Sequence, residues 1–220
     1  MTGRLFEIAG PAGAGKTTLV TNLLAHDPST RLGLDSDRLR LGLGLLSVAP
    51  ALAAARVSAG GRGFSRAELR SISYLRAWRG SARDSRPDGV VLLDHGPVYR
   101  LAALAAYGPP MADAPAFRRW WSATATAWSS LLDGVVRLDA PDDVLLQRIN
   151  GRPREHRVRN VEVAEVNSFL SRYRRAYDAA LDLMTREGVP VLNVDTSLHS
   201  PDDLAHVVHT ALSRPAGWSG

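Results

Sequence analysis

Apolar and polar positions along the chain follow two different periods. Short runs dominated by apolar residues predict β-strands at 4–9, 31–34, 89–94, 134–141 and 189–195. Between them, apolar residues recur at helical spacing, which predicts helices at 16–26, 98–107, 118–132, 141–149, 161–186 and 201–213. Strands that alternate with helices in this way are typical of parallel βαβ units, so we expect an α/β fold.

One long segment interrupts the alternation. Residues 38–86 are rich in Leu, Ala and Arg and have a helical tendency, which Pro50 and the glycines around Gly61 interrupt. We interpret the segment as an insertion within a single domain that spans 1–214 and is followed by a tail at 215–220. Its apolar run 41–55 leaves two interpretations open. We favour a buried insertion helix, and the alternative is a surface that lines an acceptor pocket or rests on a membrane.

Composition narrows the class and the location of the protein. The 220 residues are 45% hydrophobic and 22% charged, as in ordinary globular proteins. No run approaches the roughly 18 apolar residues that cross a bilayer, and the N-terminus lacks the apolar core of a signal peptide. Cysteine is absent, which excludes disulfides and thiolate metal sites. We therefore expect a cytoplasmic protein without stable membrane insertion.

The positive charge comes almost entirely from arginine. The net charge is +5, and 26 of the 27 basic residues are Arg, because Lys16 is the only lysine (27 − 1 = 26). The arginines are spread along the chain instead of alternating with aromatic residues on one face, which argues against a nucleic-acid partner. A lone lysine inside a glycine-rich loop favours a contact with phosphate, which a compact ammonium group on a flexible stem can follow.

That glycine-rich loop carries the most specific motif in the chain. GPAGAGKTT, residues 10–18, follows a predicted strand, precedes a predicted helix and matches the phosphate-loop pattern G-x-x-x-x-G-K-[ST] at every fixed position. Its glycines allow backbone N–H groups to surround phosphate oxygens at a helix N-terminus. We predict that ATP binds here, with Lys16 on the β- and γ-phosphates and the Thr17 hydroxyl on Mg²⁺. The predicted nucleotide contacts in the loop are Gly10, Ala12, Gly13, Ala14, Gly15, Lys16, Thr17 and Thr18.

Two common classes of phosphate-loop protein do not fit the sequence. The guanine-binding motif Asn-Lys-x-Asp cannot exist in a chain whose only lysine is Lys16. Motor-like ATPases carry Asp-Glu after the apolar strand, whereas the strand at 89–94 ends in Asp94-His95. Hydrolysis alone is therefore not the expected task.

Four segments, in the expected order, resemble the nucleoside and nucleotide kinase group of phosphate-loop proteins, which includes adenylate, thymidylate, shikimate and gluconate kinases. They are GPAGAGKTT at 10–18, LDSD at 34–37, LDAPDDVLLQRINGRP at 138–153 and NVDTS at 193–197. The resemblance implies a five-stranded parallel sheet in the order 2-3-1-4-5, with Mg·ATP over the first loop. It also implies an arginine-rich lid at 148–159 and an acceptor site under the inserted helices.

On the ATP side, the resemblance assigns roles to single residues. Arg148 and Arg152 match the lid, where arginines can neutralise the charge on a transferring phosphoryl group. The alternative for this segment is a solvated basic loop. Thr196 falls in the loop that borders adenine. Asp94, at the carboxyl end of a central strand, is expected near Thr17 and the metal.

On the acceptor side, Asp35 and Asp37 resemble the strand-end Asp-x-Asp of the shikimate and gluconate enzymes. Either could orient and deprotonate an acceptor hydroxyl, or hold Mg²⁺ through water, and the alternative is a cap on the next helix. Arg100 has two interpretations as well, the binding of an acceptor anion and the pairing with a surface carboxylate. For His95 we favour a residue that packs or supports a neighbouring site residue, and the alternative is a base.

The expected function is that of an ATP-dependent phosphotransferase that moves the γ-phosphate to a hydroxyl or phosphate of a small molecule, whether metabolite, nucleoside or nucleotide. The alternative is a regulatory module that binds or hydrolyses ATP without a small-molecule acceptor. Asp94-His95 departs from the Asp-Arg or Glu-Arg pair of thymidylate kinase, which disfavours thymidine monophosphate. Trp121 and Trp128, seven residues apart, could stack on a ring-shaped acceptor, but we favour a stripe that faces the core.

Overall fold

A computed structural model describes residues 3–34, 64–84, 88–108, 112–151 and 163–214, together with 46, 49–50, 53 and 218. Three predicted site residues, Asp35, Asp37 and Arg152, lie outside the described residues, as do most of the predicted lid and much of the predicted insertion. The predictions for these residues remain predictions.

Strands and helices alternate along the chain. The strands are β1 (Arg4–Ala9), β2 (Thr30–Leu32), β3 (Val90–Asp94), β4 (Gly134–Asp139) and β5 (Val191–Asp195). The helices are α1 (Lys16–His26), α2 (Arg66–Asp84), α3 (Pro97–Tyr107), α4 (Pro115–Ser129), α5 (Asp142–Asn150), α6 (Val163–Arg186) and α7 (Pro201–Ser213). The bounds of β1, α1 and α7 agree with those that the sequence predicts.

The strands form one parallel sheet in the order β2-β3-β1-β4-β5, which confirms the predicted strand order and fold class. β1 lies at the centre, and its Ile8 is in register with Asp94 of β3 and with Val136 of β4. The turns that follow these central strands therefore meet at one edge of the sheet, where ligands of open α/β sheets bind.

Helices cover both faces of the sheet. Leu5 and Ala9 of β1 belong to the core cluster that includes α2, α3 and α4, while Phe6 and Ile8 belong to the cluster that includes α1, α5 and α7. This alternation follows from the two-residue period of a strand. Because the central strands β3, β1 and β4 are buried on both faces, they are mostly apolar, which is why they are recognisable in the sequence.

The two tryptophans of α4 lie in the core-facing stripe that we favoured. Trp128 is 0% exposed, and its indole N–H donates to the Leu75 carbonyl at 3.1 Å. Trp121 is partly buried and donates to the Leu101 carbonyl at 2.9 Å. Both indole N–H groups are thus satisfied by neighbouring helices, and both rings serve packing.

Several bounds differ from the prediction for identifiable reasons. β2 was expected at 31–34 but ends at Leu32, because Gly33 turns the chain with a φ of +81°. α3 and α4 begin earlier than expected, at Pro97 and Pro115. Proline suits the first position of a helix, whose N–H has no partner within the helix.

Trp218 packs back onto the sheet. Its ring stacks on Phe6 of β1 with centroids 5.5 Å apart, and its indole N–H donates to the Ala211 carbonyl at 3.1 Å. A Cβ atom on Gly134 would lie 2.8 Å from this ring, so the close contact requires glycine there. Among the helices that the structure describes, none is long and apolar enough to span a bilayer.

Candidate active site

The glycine-rich loop connects β1 to α1 and lies tightly against the β4–α5 unit. Gly10 and Gly13 have φ values of +142° and +87°. A Cβ atom on Gly10 would lie 2.2 Å from the Leu138 carbonyl oxygen, and one on Gly13 would lie 2.7 Å from the Leu145 carbonyl oxygen. Both the backbone conformation and the lack of space therefore require glycine at these positions. Ala14 of the loop is buried, and Ala12 packs partly against the same core cluster.

Lys16 lies across the mouth of this loop. Its ammonium group donates to the carbonyl oxygens of Gly10 and Pro11, each at 2.8 Å. The hydroxyl of Tyr177, on α6, donates to the same Gly10 carbonyl at 3.0 Å. Thr17 and Thr18 follow in the first turn of α1, and both are exposed. The only lysine of the chain is thus already held beside the backbone N–H groups that would surround a phosphate.

A cavity of about 340 Å³ opens beside the loop. Its lining brings together residues that the sequence assigns to the nucleotide, namely Gly13, Gly15, Thr18, Arg148 and Thr196. Within it, the Arg148 guanidinium donates to the Thr196 hydroxyl at 2.7 Å and to the Thr196 carbonyl at 3.0 Å. Thr196 is anchored in turn by its N–H group, which donates to the Asp139 carbonyl at 2.8 Å. This side of the cavity is therefore held in place by hydrogen bonds at the ends of β4 and β5.

Arg174 of α6 fixes the turn that leads from β4 into α5. It donates two hydrogen bonds to the Asp139 carboxylate, at 2.8 and 3.0 Å, and another to the Ala140 carbonyl at 2.9 Å. It also pairs with the carboxylate of Asp142, in the first turn of α5. The bonds to Asp139 are the main reason why the pKa of Arg174 is raised above its ordinary value. These contacts fix the start of α5, the helix that carries Arg148 near its end.

Asp94 ends β3 at the same edge of the sheet. Its Oδ1 atom is buried and has no hydrogen-bond partner among the described residues, and His95 Nδ1 lies 3.4 Å from it. An unsatisfied carboxylate oxygen and the exposed Thr17 hydroxyl are the hard oxygen ligands that suit Mg²⁺. The described residues contain no group of three or more His, Cys, Asp or Glu that could hold a metal by itself. The arrangement fits an ion that also takes nucleotide phosphates and water as ligands.

His95 follows Asp94 in the turn after β3. Burial is the main cause that lowers its pKa, Lys16 and Arg100 lower it further, and Asp94 opposes them. Its ring contacts that of Tyr99 edge-on, with centroids 4.2 Å apart. Lys16 and Arg100 are therefore both close enough to His95 to act on its pKa.

Arg100 projects from α3 onto two aromatic rings of α2. Its guanidinium carbon lies 4.4 Å from the ring centroid of Tyr74 and 4.9 Å from that of Trp78. Burial is the main cause that lowers its pKa, while Glu7 raises it. Its Nε atom is buried without a hydrogen-bond partner among the described residues, as is Nε1 of Trp78. The contacts are therefore cation–π contacts rather than the surface ion pair that we considered as an alternative.

Glu7 is the polar residue of this region that our sequence analysis missed. It lies in the central strand β1 and is 0% exposed. Its two carboxylate oxygens accept the N–H groups of Val98 and Tyr99, at 2.7 and 2.8 Å, in the first turn of α3. Burial raises its pKa to about 8, although both hydrogen bonds and Arg100 oppose the rise. A single acidic residue within the apolar run RLFEIA was the available signal.

Comparisons with known proteins agree with this geometry. A comparison with curated protein sequences finds no match. Among solved structures, the chain is similar to the YorR protein of Bacillus subtilis in complex with phosphorylated GDP, with a TM-score of 0.52, 17% identity and coverage of 95% of both chains. It is also similar to the deoxyadenosine kinase of M. mycoides with its products dCMP and dCDP, with a TM-score of 0.55, 12% identity and coverage of 95% of this chain and 98% of that one.

These two likenesses show the fold, which is that of phosphate-loop kinases and confirms the resemblance stated from the sequence. The family is shown by a separate match, to the model of a family described as an AAA domain, over residues 5–176. That range includes the glycine-rich loop, Asp94, Arg100 and Arg174. The chain therefore belongs to this AAA domain family and has the phosphate-loop kinase fold.

Proposed function

We propose that the protein is an ATP-dependent phosphotransferase that moves the γ-phosphate of Mg·ATP to a hydroxyl or phosphate of a small molecule. One observation carries the proposal: Lys16 and the unsatisfied carboxylate of Asp94 lie at the carboxyl ends of the neighbouring strands β1 and β3. A cation for the phosphates and an oxygen ligand for a metal are thus available at the same edge of the sheet. Loops that hold both are typical of phosphoryl transfer.

The donor half of the proposed site uses residues whose positions are known. The N–H groups of the loop surround the phosphates, and Lys16 leaves the Gly10 and Pro11 carbonyls to reach the β- and γ-phosphates. The cavity beside Arg148 and Thr196 takes the adenine. When bound, Mg²⁺ neutralises charge on the phosphates. Thr17 and Asp94 would hold it, directly or through water.

On the acceptor half, Arg100 is proposed to bind an anionic group of the acceptor, with its guanidinium pre-oriented by Tyr74 and Trp78. Asp37, with Asp35 beside it in sequence, is proposed to orient the acceptor hydroxyl and to take its proton. Arg152 is proposed to approach the transferring phosphoryl group together with Arg148. These assignments are tested by Asp37→Asn and Arg152→Ala, each of which is expected to lower turnover more than the affinity for ATP.

The similar solved structures guide the choice of acceptors to test. One was solved with phosphorylated GDP, and the other is a deoxyadenosine kinase solved with dCMP and dCDP. Nucleosides and nucleotides are therefore the first group of the panel, followed by sugars and hydroxy acids. Because the proposed donor is ATP, we also propose that the protein works in the cytoplasm.

The test is ADP release from Mg·ATP with each acceptor in turn. We expect at least one acceptor to raise turnover, and Lys16→Ala to lower it by about 100-fold or more, as removal of a charge-stabilising donor does in other enzymes. Arg118→Ala removes the same charge from an exposed position of α4 and is the matched control. ADP release that no acceptor stimulates would contradict the proposal and would favour the regulatory module.

A further inference from the structure

We infer that Glu7 is a positioning residue, which holds the turn after β3 so that Asp94 can bind the metal of Mg·ATP. The inference rests on the proposed role of Asp94 and adds a residue that touches neither the nucleotide nor the metal. It concerns binding of Mg·ATP, and its test does not require a known acceptor.

The first support is the contact between Glu7 and α3. The first N–H groups of a helix have no partner within the helix, and the N-cap residue Gly96 has no side chain to bind them. Glu7 takes this role from the neighbouring central strand, with hydrogen bonds of 2.7 Å to Val98 N and 2.8 Å to Tyr99 N. The start of α3 is thereby tied to the strand that leads into the phosphate loop.

The second support is the tight fit of the turn between β3 and α3. A Cβ atom on Gly96 would lie 2.7 Å from both Cδ and Oε2 of Glu7 and 2.9 Å from Cβ of Leu93. In the same turn, His95 has a φ of +60°. Among the described residues, it is the only one other than glycine with a positive φ. A left-handed histidine costs of the order of 1 kcal/mol, so this conformation persists because its surroundings impose it.

The orientation of the Asp94 side chain also depends on the turn. Among the described residues, no hydrogen bond reaches its Oδ1 atom, so hydrogen bonding to that atom does not orient the side chain. The backbone of the turn then determines where this carboxylate lies, and Glu7 fixes that backbone at the start of α3. Groups that hold a metal ligand in this indirect way affect metal affinity strongly.

The test compares the affinity for ATP with and without Mg²⁺, by calorimetry, in the wild-type protein and in Glu7→Gln. Both oxygens of a carboxyl group have lone pairs that can accept a backbone N–H, whether the group is ionised or protonated, whereas an amide has one acceptor oxygen. In Glu7→Gln an NH₂ group would face a backbone N–H, which displaces the start of α3. We expect the gain in affinity that Mg²⁺ provides to fall by about 10- to 100-fold, as for other residues that support metal ligands. The affinity for ATP in EDTA is expected to stay unchanged.

Asp133→Asn is the matched control. Asp133 accepts the N–H group of Leu5 at 2.7 Å, so this carboxylate also bonds to a backbone N–H group, but at the end of β1 remote from the loop. We expect it to lower the melting temperature without a change in the Mg²⁺-dependent gain. A purely structural role of Glu7 would give Glu7→Gln this same pattern and would overturn the inference.

Gly96→Ala perturbs the contact from the opposite side, because the added methyl group would displace the Glu7 carboxylate. It should reproduce the loss of the Mg²⁺-dependent gain, and it decides the question if Glu7→Gln does not fold. Asp94→Asn tests the proposed metal role of Asp94 separately from the role of Glu7. If it lowers the gain and the other two variants do not, only the role of Glu7 is wrong. If it leaves the gain unchanged, the proposed metal role of Asp94 fails, and the inference fails with it.

Discussion

Replacement of Tyr177 by Phe should reduce the free energy of ATP binding more than it reduces the free energy of unfolding. The hydroxyl donates to the Gly10 carbonyl at 3.0 Å, and the ammonium of Lys16 donates to the same oxygen at 2.8 Å. In the nucleotide-free variant, Lys16 continues to satisfy this carbonyl. The expected loss in the free energy of unfolding is therefore that of one ordinary hydrogen bond, about 1 kcal/mol.

The larger effect falls on the nucleotide complex. To reach a phosphate, Lys16 must give up its bonds to the loop carbonyls, and in the wild-type protein Tyr177 still satisfies Gly10. In the variant this buried carbonyl would have no donor, which costs about 1–3 kcal/mol. The affinity for ATP should therefore fall by about 5- to 150-fold, because each 1.4 kcal/mol corresponds to about tenfold.

Tyr107→Phe provides the comparison. The Tyr107 hydroxyl donates to the Phe169 carbonyl of α6 at 2.9 Å, so the same atom is removed from a similar bond that does not involve the loop. Calorimetry should show weaker ATP binding for Tyr177→Phe alone, while thermal unfolding should show a modest loss for both variants. Equal ATP affinities in the two variants would refute the idea that Tyr177 replaces Lys16 at the Gly10 carbonyl.

The other predictions concern the loop glycines and the pH dependence of stability. A Cβ atom on Gly15 would meet no atom within 4 Å, so Gly15→Ala should lower the free energy of unfolding by about 1 kcal/mol, for its left-handed backbone alone. Gly13→Ala should lower it by about 1–3 kcal/mol more, because its Cβ would lie 2.7 Å from the Leu145 carbonyl oxygen. Urea unfolding measures both, and equal losses would contradict the packing argument. Because the pKa of Glu7 is raised from 4.5 to about 8, the folded state binds this proton more tightly, and its contribution to stability is lost as the pH rises through that range. Between these pH values the free energy of unfolding should fall by up to about 1.4 kcal/mol per pH unit, and this dependence should be weaker in Glu7→Gln. The same pH dependence in the variant and the wild-type protein would show that Glu7 is not its source.

The fold could be predicted largely because its signals are local. A strand buried on both faces is mostly apolar, and β1, β3 and β4 are apolar enough to stand out in the sequence despite Glu7 and Arg137. The phosphate loop is equally local, since its glycines and Lys16 lie within a few residues of one another. β2 was placed less well because it is short and lies at the edge of the sheet, where the pattern is weak.

The residues that support the site could not be predicted, because their partners are distant in sequence. Glu7 lies 91 residues from Val98, and Arg174 lies 35 residues from Asp139. In the sequence, Arg174 is one of many arginines on a polar helix face, and Glu7 is an acidic residue in an apolar strand. Only the parallel order of the strands brings each beside the turn that it holds.

These distant contacts have a common consequence for the site. Each turn that leaves a central strand at this edge of the sheet is held by a side chain from another element: Tyr177 holds the phosphate loop, Glu7 the turn after β3, and Arg174 the turn after β4. Phosphoryl transfer depends on position and charge rather than on covalent chemistry, so turns that are fixed before the substrate binds lower the cost of reaching the reactive geometry. Substitutions at Tyr177 and Arg174 should therefore change ATP binding or turnover, although neither side chain lies among the residues that line the proposed nucleotide cavity.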